Sequence, residues 1–134
     1  MQIKDCPDID GGEIPDLVPI LAVCAASKHT VTKISNISRL RLKESNRIET
    51  TGNMLKALGA KIKTGADEMI IYGKGFLNGG IVNGSNDHRI VMAATIASTF
   101  CANPVTISGA QAVEKSYPDF FKDFQMLGGK FNVL

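Results

Sequence analysis

Tryptophan is absent from this 134-residue chain, and phenylalanine and tyrosine bring its aromatic content to only 6%. Single-strand nucleic-acid binders stack bases on aromatic platforms, and so poor a chain offers no such surface. A dominant charge is missing too: 15 Lys and Arg against 13 Asp and Glu leave a net charge of +2, which by itself does not imply nucleic acid. No apolar run reaches the roughly 18 residues of a membrane span, and Met1-Gln2-Ile3-Lys4-Asp5-Cys6 lacks an apolar signal region. The expectation is a soluble protein that is not secreted. Cysteine is sparse: Cys6, Cys24 and Cys101 are odd in number and not spaced as metal ligands. Cys24 and Cys101 lie in or beside Ala-rich apolar runs and read as small core residues, which suits a reduced, cytoplasmic setting.

What is present describes one α/β domain. Hydrophobic residues make up 44% and charged residues 21%, ordinary values for a globular protein large enough to bury a core. The pattern predicts a short strand at Gln2–Lys4 and a turn-rich stretch from Pro7 to Gly12. Pro15 suits the first position of a helix whose apolar run extends from Leu17 to Ser27. A strand follows at 30–34, then a helix from about Glu44 to Leu58 that stops at Gly59. Strands are expected at 61–63 and 69–72, and Gly-rich turns flank Ile81-Val82. A third helix spans about Asp87 to Phe100, a strand 105–107, a fourth helix about Pro118 to Leu127, and a last strand 130–133.

This order repeats. Leu58-Gly59-Ala60-Lys61-Ile62 recurs as Leu127-Gly128-Gly129-Lys130-Phe131, 69 residues on (58 to 127), and Lys43 matches Lys115 at 72. Val31 and Val105 fall in matching strands. Two copies of a helix–strand–helix–strand unit, with extra strands between them, would share one core.

Three stretches place basic side chains where helices are expected to begin: Arg41-Leu42-Lys43-Glu44-Ser45-Asn46-Arg47, Asn86-Asp87-His88-Arg89 and Glu114-Lys115-Ser116-Tyr117-Pro118-Asp119. A helix start already carries partial positive charge, so cations there are unfavourable unless an anion joins them. On a helix from Glu44, the head groups of Lys43, Glu44 and Arg47 would share neighbouring rows. Arg47 would offer a fork to carboxylate or phosphate, Lys43 a point charge, and Glu44 a carboxyl able to carry a proton. For each group a plain alternative stands. Glu44 and Arg47 can be a solvated pair, Asp87 a helix cap with His88 and Arg89 facing solvent, Lys115 a loop lysine, and Asp16 a first-turn acid. One His without a second ligand at metal spacing makes a metal site improbable, and Phe120, Phe121 and Phe124 read as core.

Taken together, Ile14-Pro15-Asp16-Leu17, Arg41 to Arg47, Asn86 to Arg89 and Lys115-Ser116-Tyr117-Pro118-Asp119-Phe120-Phe121 resemble the carboxy-terminal part of the 5-enolpyruvylshikimate-3-phosphate synthases, also called 3-phosphoshikimate 1-carboxyvinyltransferases. The resemblance covers essentially the whole chain. It implies a domain, residues 1–134, made of two βαβαββ-type units of an inside-out α/β barrel, at about 1–73 and 74–134. It implies transfer of the enolpyruvyl group of phosphoenolpyruvate to the 5-hydroxyl of shikimate 3-phosphate with release of phosphate, a step toward aromatic amino acids, without organic cofactor or essential metal. Asp16 would orient or deprotonate the hydroxyl, Glu44 would handle the proton at the methylene carbon, and Lys43 would assist beside shikimate 3-phosphate. Arg47, Arg89 and Lys115, with His88 beside them, would bind the phosphate and carboxylate of phosphoenolpyruvate.

Two departures stand out. Asn46 replaces the Asp usual in the motif, which implies tuning of a neighbouring cation. Family members are also about three times longer, so the upstream domain would be a required partner and this partial chain inactive alone. A different class of function, a non-catalytic anion-binding module of the same fold, would not need both Asp16 and Glu44.

Overall fold

A computed structural model describes residues 7–134, so the strand expected at Gln2–Lys4 lies outside the described residues. The first part of the chain runs β1 (Asp8–Asp10), α1 (Val18–Ala26), β2 (Val31–Ser35), α2 (Arg47–Ala57), β3 (Lys61–Thr64) and β4 (Glu68–Tyr72). The second runs β5 (Gly80–Asn83), α3 (His88–Ala97), β6 (Val105–Ser108) and α4 (Phe120–Met126). Short 3-10 turns at Pro15–Leu17, Ser38–Leu42, Ser98–Phe100 and Ala110–Lys115 lead into or follow the helices.

Four strands form one sheet in the order β1-β2-β4-β3, and β5 and β6 form a second. β1 is parallel to β2 and β5 to β6, whereas β4 is antiparallel to both β2 and β3. Parallel neighbours need a long crossover, and α1 and α3 supply it. Alternation along β2 turns Thr32 and Ile34 inward, and both are buried. Across the ladder they meet Ile71 and Met69 of β4, also buried. Onto this face pack Ala22 and Val23 of α1, Leu55 of α2, and Ile90 and Ala94 of α3, in one continuous core. Phe120 and Phe121 join a small satellite cluster around Val91, Ala112 and Val113.

Several local expectations change. α2 starts at Arg47, three residues late, because Asn46 takes an extended backbone and its side chain accepts the Glu49 N–H at 3.4 Å. The pair Asn46…Glu49 is a helix-start signature that the basic run obscured. Lys43 and Glu44 therefore precede the helix. Lys115 does not sit at a helix start either, since it closes the turn Ala110–Lys115. Cys24, expected in the core, is exposed: α1 buries the face toward Ala22, Val23 and Ala26 and turns Cys24 away. Residues 130–133 form no strand.

Backbone geometry recurs, 73 residues on at the strands and 69 residues on at the helix ends. Gly11 N–H donates to the Ser35 carbonyl and Gly84 N–H to the Ser108 carbonyl, each at 2.9 Å, 73 residues apart (11 to 84, 35 to 108). Strand register agrees, with Ile9 opposite Ile34 and Val82 opposite Ile107. Val105 thus matches Thr32 and not Val31. α2 and α4 end alike: Ala60 N–H reaches the Leu55 carbonyl at 2.8 Å and Gly129 N–H the Phe124 carbonyl at 2.9 Å. Gly59 and Gly128 supply the positive φ these stops require, +93° and +101°. A Cβ at Gly59 would lie 2.5 Å from the Asn78 amide nitrogen, while one at Gly128 would meet nothing within 4 Å. Gly128→Ala should therefore cost only the backbone term, about 1–2 kcal/mol, and Gly59→Ala measurably more by urea unfolding; equal losses would show that Asn78 yields freely.

Candidate active site

The helix starts and turns carrying the basic motifs converge. The chain leaves β1 and β5 through turns closed by matching bonds, Ile14 N–H to the Gly11 carbonyl (3.1 Å) and Asp87 N–H to the Gly84 carbonyl (3.0 Å), although Ser85 and Asn86 take positive φ and Gly12 and Glu13 do not. Two residues beyond these bonds stand Asp16 and Arg89, so equivalent backbone stations present an acid and a base. Their side chains face each other, with Arg89 Nη2 3.9 Å from Asp16 Oδ2.

Arg47 is the hub. Its side chain is 1% exposed, a rare state for an arginine unless it is paired. Nε and Nη2 form a fork on Asp87, at 2.8 Å to Oδ2 and 3.1 Å to Oδ1. Nη1 donates to Asp16 Oδ1 at 3.1 Å, and Nη2 to Glu44 Oε2 at 2.5 Å. One guanidinium thus gathers carboxylates from three separate segments. Asp87 is fully buried, and its remaining acceptor capacity is filled by Ser45 Oγ (2.7 Å) and the Arg89 N–H (3.0 Å), the latter capping α3. Ser45 Oγ in turn lies 3.0 Å from Thr50 Oγ1.

Burial pushes the Asp87 carboxyl up, but the hydrogen bonds from Arg47 and Ser45 and the Arg47 charge overcome it, leaving Asp87 below its ordinary value. Burial likewise pushes Arg47 down, and its bond to Asp87 with the charges of Asp87, Glu44 and Asp16 raises it net. Both groups stay ionised.

Around this buried pair lies the accessible rim. Asp16 and Glu44 are about half exposed, and Lys43 Nζ is 3.8 Å from Asp16 Oδ1. Lys115 Nζ donates to the Asn86 carbonyl at 2.7 Å, which fastens the third motif to the second. His88 is mostly buried, contrary to the solvent-facing alternative. Its Nδ1, and Nε of Arg89, are buried without a hydrogen-bond partner, the kind of vacancy that native structures rarely leave. Beyond Asp16 and Arg89, a groove of ≈ 180 Å³ opens between α1 and α3, lined by Leu17, Ile20 and Met92.

Asp16, Lys43, Glu44, Arg47 and Arg89 are thus linked around one centre, directly or through Asp87, whereas Lys115 is fastened to the Asn86 backbone beside it and His88 adjoins it by chain position. The fork expected to face a ligand from Arg47 is engaged by Asp87. Asp87 itself, read from sequence only as a cap, and Ser45 were the residues missed. Pairing across 40 positions leaves no local trace; the one available clue was an acid beside a basic run with no nearby partner.

The site thus sets carboxylates among cations near the starts of α2 and α3, where partial positive charge also lies. Comparison with known proteins gives the family. The profile of the EPSP synthases (3-phosphoshikimate 1-carboxyvinyltransferases) matches residues 2–124, and the chain belongs to that family. It is 54% identical over 121 residues to the 3-phosphoshikimate 1-carboxyvinyltransferase of Clostridium novyi, covering 90% of this chain and 28% of that protein. The enzyme of the same name from Methanocella arvoryzae is 44% identical over 126 residues, covering 94% of this chain and 30% of its own. A solved EPSP synthase from Acinetobacter baumannii superposes with a TM-score of 0.80 at 32% identity, over 84% of this chain and 27% of that one. The chain therefore spans less than a third of these relatives' length.

Asp87→Asn should remove the charge that compensates buried Arg47 and cost about 3–5 kcal/mol of stability. The pH dependence has a definite sign. With its folded value depressed below the ordinary ~3.9, Asp87 contributes stability that is fully present above that ordinary value and is lost as pH falls through the folded value. Acid unfolding followed by circular dichroism should show this limb in the native chain and a shallower one in Asp87→Asn; superimposable acid limbs would dissociate Asp87 from it.

Proposed function

We propose that this chain supplies one wall of the active site of a 3-phosphoshikimate 1-carboxyvinyltransferase. The reaction joins the 5-hydroxyl oxygen of shikimate 3-phosphate to C2 of phosphoenolpyruvate and afterwards breaks the bond from C2 to the phosphate oxygen. Phosphate leaves, and the methylene carbon first gains and then returns a proton.

The observation that carries this reading is the single guanidinium between two accessible carboxylates, Arg47 Nη1 on Asp16 and Nη2 on Glu44. Addition and elimination need one base at a hydroxyl and one proton carrier at a carbon, close together and held apart in orientation. In this reading Asp16 receives the proton of the 5-hydroxyl, and Glu44 delivers and recovers the proton at the methylene carbon. Lys43, beside Asp16, supports the attacking oxygen. Arg89, Lys115 and His88 hold the carboxylate and phosphate of phosphoenolpyruvate, and the buried unpaired nitrogens of His88 and Arg89 support an anion there. Arg47 adds charge to the anion while its fork stays on Asp87. The tetrahedral intermediate keeps both anionic groups, so these cations stabilise it as well.

The site's open side calls for the remaining part of the enzyme as partner, and the chain alone is read as inactive. The recurring bonds at a 73-residue offset support two βαβαββ-type units, about 1–73 and 74–134, within one domain. The first shows the full order β1-α1-β2-α2-β3-β4, and the second stops after α4.

Phosphate release from phosphoenolpyruvate plus shikimate 3-phosphate, assayed with this chain, with the remaining part of a relative, and with both, should appear only on mixing. In the mixed enzyme Glu44→Gln should lower kcat by about 10²–10⁴-fold while ligand binding persists. Binding of either ligand without turnover on mixing would favour a non-catalytic anion-binding module.

A further inference from the structure

Asparagine followed by glycine occurs twice in this chain, at Asn78-Gly79 and Asn83-Gly84. The dipeptide is chemically distinctive because glycine has no Cβ to hinder attack by its own backbone nitrogen. That nitrogen, once it has given up its proton to base, attacks Cγ of the preceding carboxamide. The bond from Cγ to the side-chain nitrogen breaks, ammonia leaves, and a cyclic imide remains. Water then opens the imide at either carbonyl. One opening gives aspartate; the other gives isoaspartate, in which the main chain continues through Cγ. Water is the only co-reactant, and nothing is oxidised or reduced. The step needs a carboxamide free to turn and a glycine N–H not held elsewhere.

The fold treats the two sites differently. Both asparagines are exposed, so exposure alone does not separate them. Asn83 is the last residue of β5 and stands opposite Ser108 of β6. The nitrogen that would attack it, that of Gly84, donates its N–H to the Ser108 carbonyl at 2.9 Å. The carboxamide is engaged as well, since Asn83 Oδ1 accepts the Ser85 N–H at 2.8 Å. Imide closure at Asn83 therefore requires the end of the β5–β6 ladder to open first. Asn78 lies outside any strand, between β4 and β5. Its carboxamide makes no hydrogen bond among the described residues. Gly79 N–H meets no oxygen acceptor there and faces the Cys101 thiol, a weak acceptor. Neither reacting group at Asn78 has to be released from a strong bond.

We propose that Asn78 is a site of spontaneous deamidation in the folded chain, and that the β5–β6 ladder shields Asn83 from the same reaction. The place of Asn78 gives the change a consequence. Its N–H donates to the Leu58 carbonyl at 2.8 Å, and its own carbonyl accepts the Asn103 N–H at 3.0 Å and Asn103 Nδ2 at 3.1 Å. The residue thus ties the end of α2 to the turn before β6. Aspartate there sets a negative charge beside the C-terminus of α2, where partial negative charge already lies. Isoaspartate lengthens the main chain by one carbon and turns the carbonyl shared by Asn103 into a free carboxylate, so Gly79 and β5 shift against Leu58. Both products loosen this junction. The inference is independent of the enzymatic reading, and its test involves neither substrate nor turnover.

The native 134-residue chain, held folded in mildly alkaline buffer, is sampled over time and mapped by peptide mass spectrometry. The mass gain of amide-to-acid conversion should accumulate at Asn78 about tenfold or more faster than at Asn83, with isoaspartate among the products and a rate that rises with pH. In concentrated urea, where the ladder is gone, the two sites should convert at similar rates. Asn78→Gln should remove the fast conversion, because the longer side chain closes a ring far less readily. Equal rates in the folded chain, or a faster Asn83, would overturn the proposal. So would an unmodified Asn78 over a period in which the unfolded chain converts. A preference for Asn78 that persists unchanged in urea would assign the difference to local sequence and overturn the shielding by β6.

Discussion

A fully buried carboxylate and an almost fully buried guanidinium hold this molecule's working end together. Neither Asp87 nor Arg47 could be where it is alone, since an isolated charge in the interior costs several kcal/mol. As a fork they neutralise each other, and further protons of Arg47 and lone pairs of Asp87 go to the motifs around them. Through Arg47 the pair fixes Asp16 and Glu44; through Asp87 it fixes Ser45 and the start of α3. Three segments distant in sequence thereby share one electrostatic centre. The rim residues stay partly exposed while the centre is sealed.

This arrangement accounts for the basic helix starts that look unfavourable in isolation. Arg47 opens α2, where partial positive charge already resides, yet three carboxylates lie within hydrogen-bond reach of it. Lys43 and Arg89 share Asp16 at longer range. What remains positive is the outer edge, with Arg89 and Lys115 near the buried, unpaired side-chain nitrogens His88 Nδ1 and Arg89 Nε. The electrostatics of the site are layered, balanced inside and cationic outside.

Much of this was legible from the chain. Apolar runs and periodicity placed all four helices and the strands around 31–35, 61–64, 68–72 and 105–108. The motif set gave the family, and Asp16, Lys43, Glu44, Arg47 and Arg89 lie together. Helix boundaries were less legible. The run of charge from Arg39 to Arg47 hid the cap at Asn46, and side chains lying before the helix were placed on it. Cys24 was misjudged because a helix apolar all round gives no hint of which face meets its neighbour. The strand expected at 130–133 is absent, since a short apolar alternation does not by itself supply a neighbouring strand to pair with. Asp87 was seen as a cap but not as a counter-charge, since its partner is 40 residues away.

The stations occupied by Asp16 and Arg89 carry a lesson of their own. Each is reached by the same two backbone hydrogen bonds after a parallel strand, and neither bond involves the side chain presented there. Position is thus encoded in the main chain and chemistry in the side chain, as with interchangeable bits in one tool holder. Two turns of different backbone conformation, each closed by the same pair of main-chain bonds, bring opposite charges to face each other. A fold built this way can acquire a new reactive group at such a station without re-solving the problem of where to hold it.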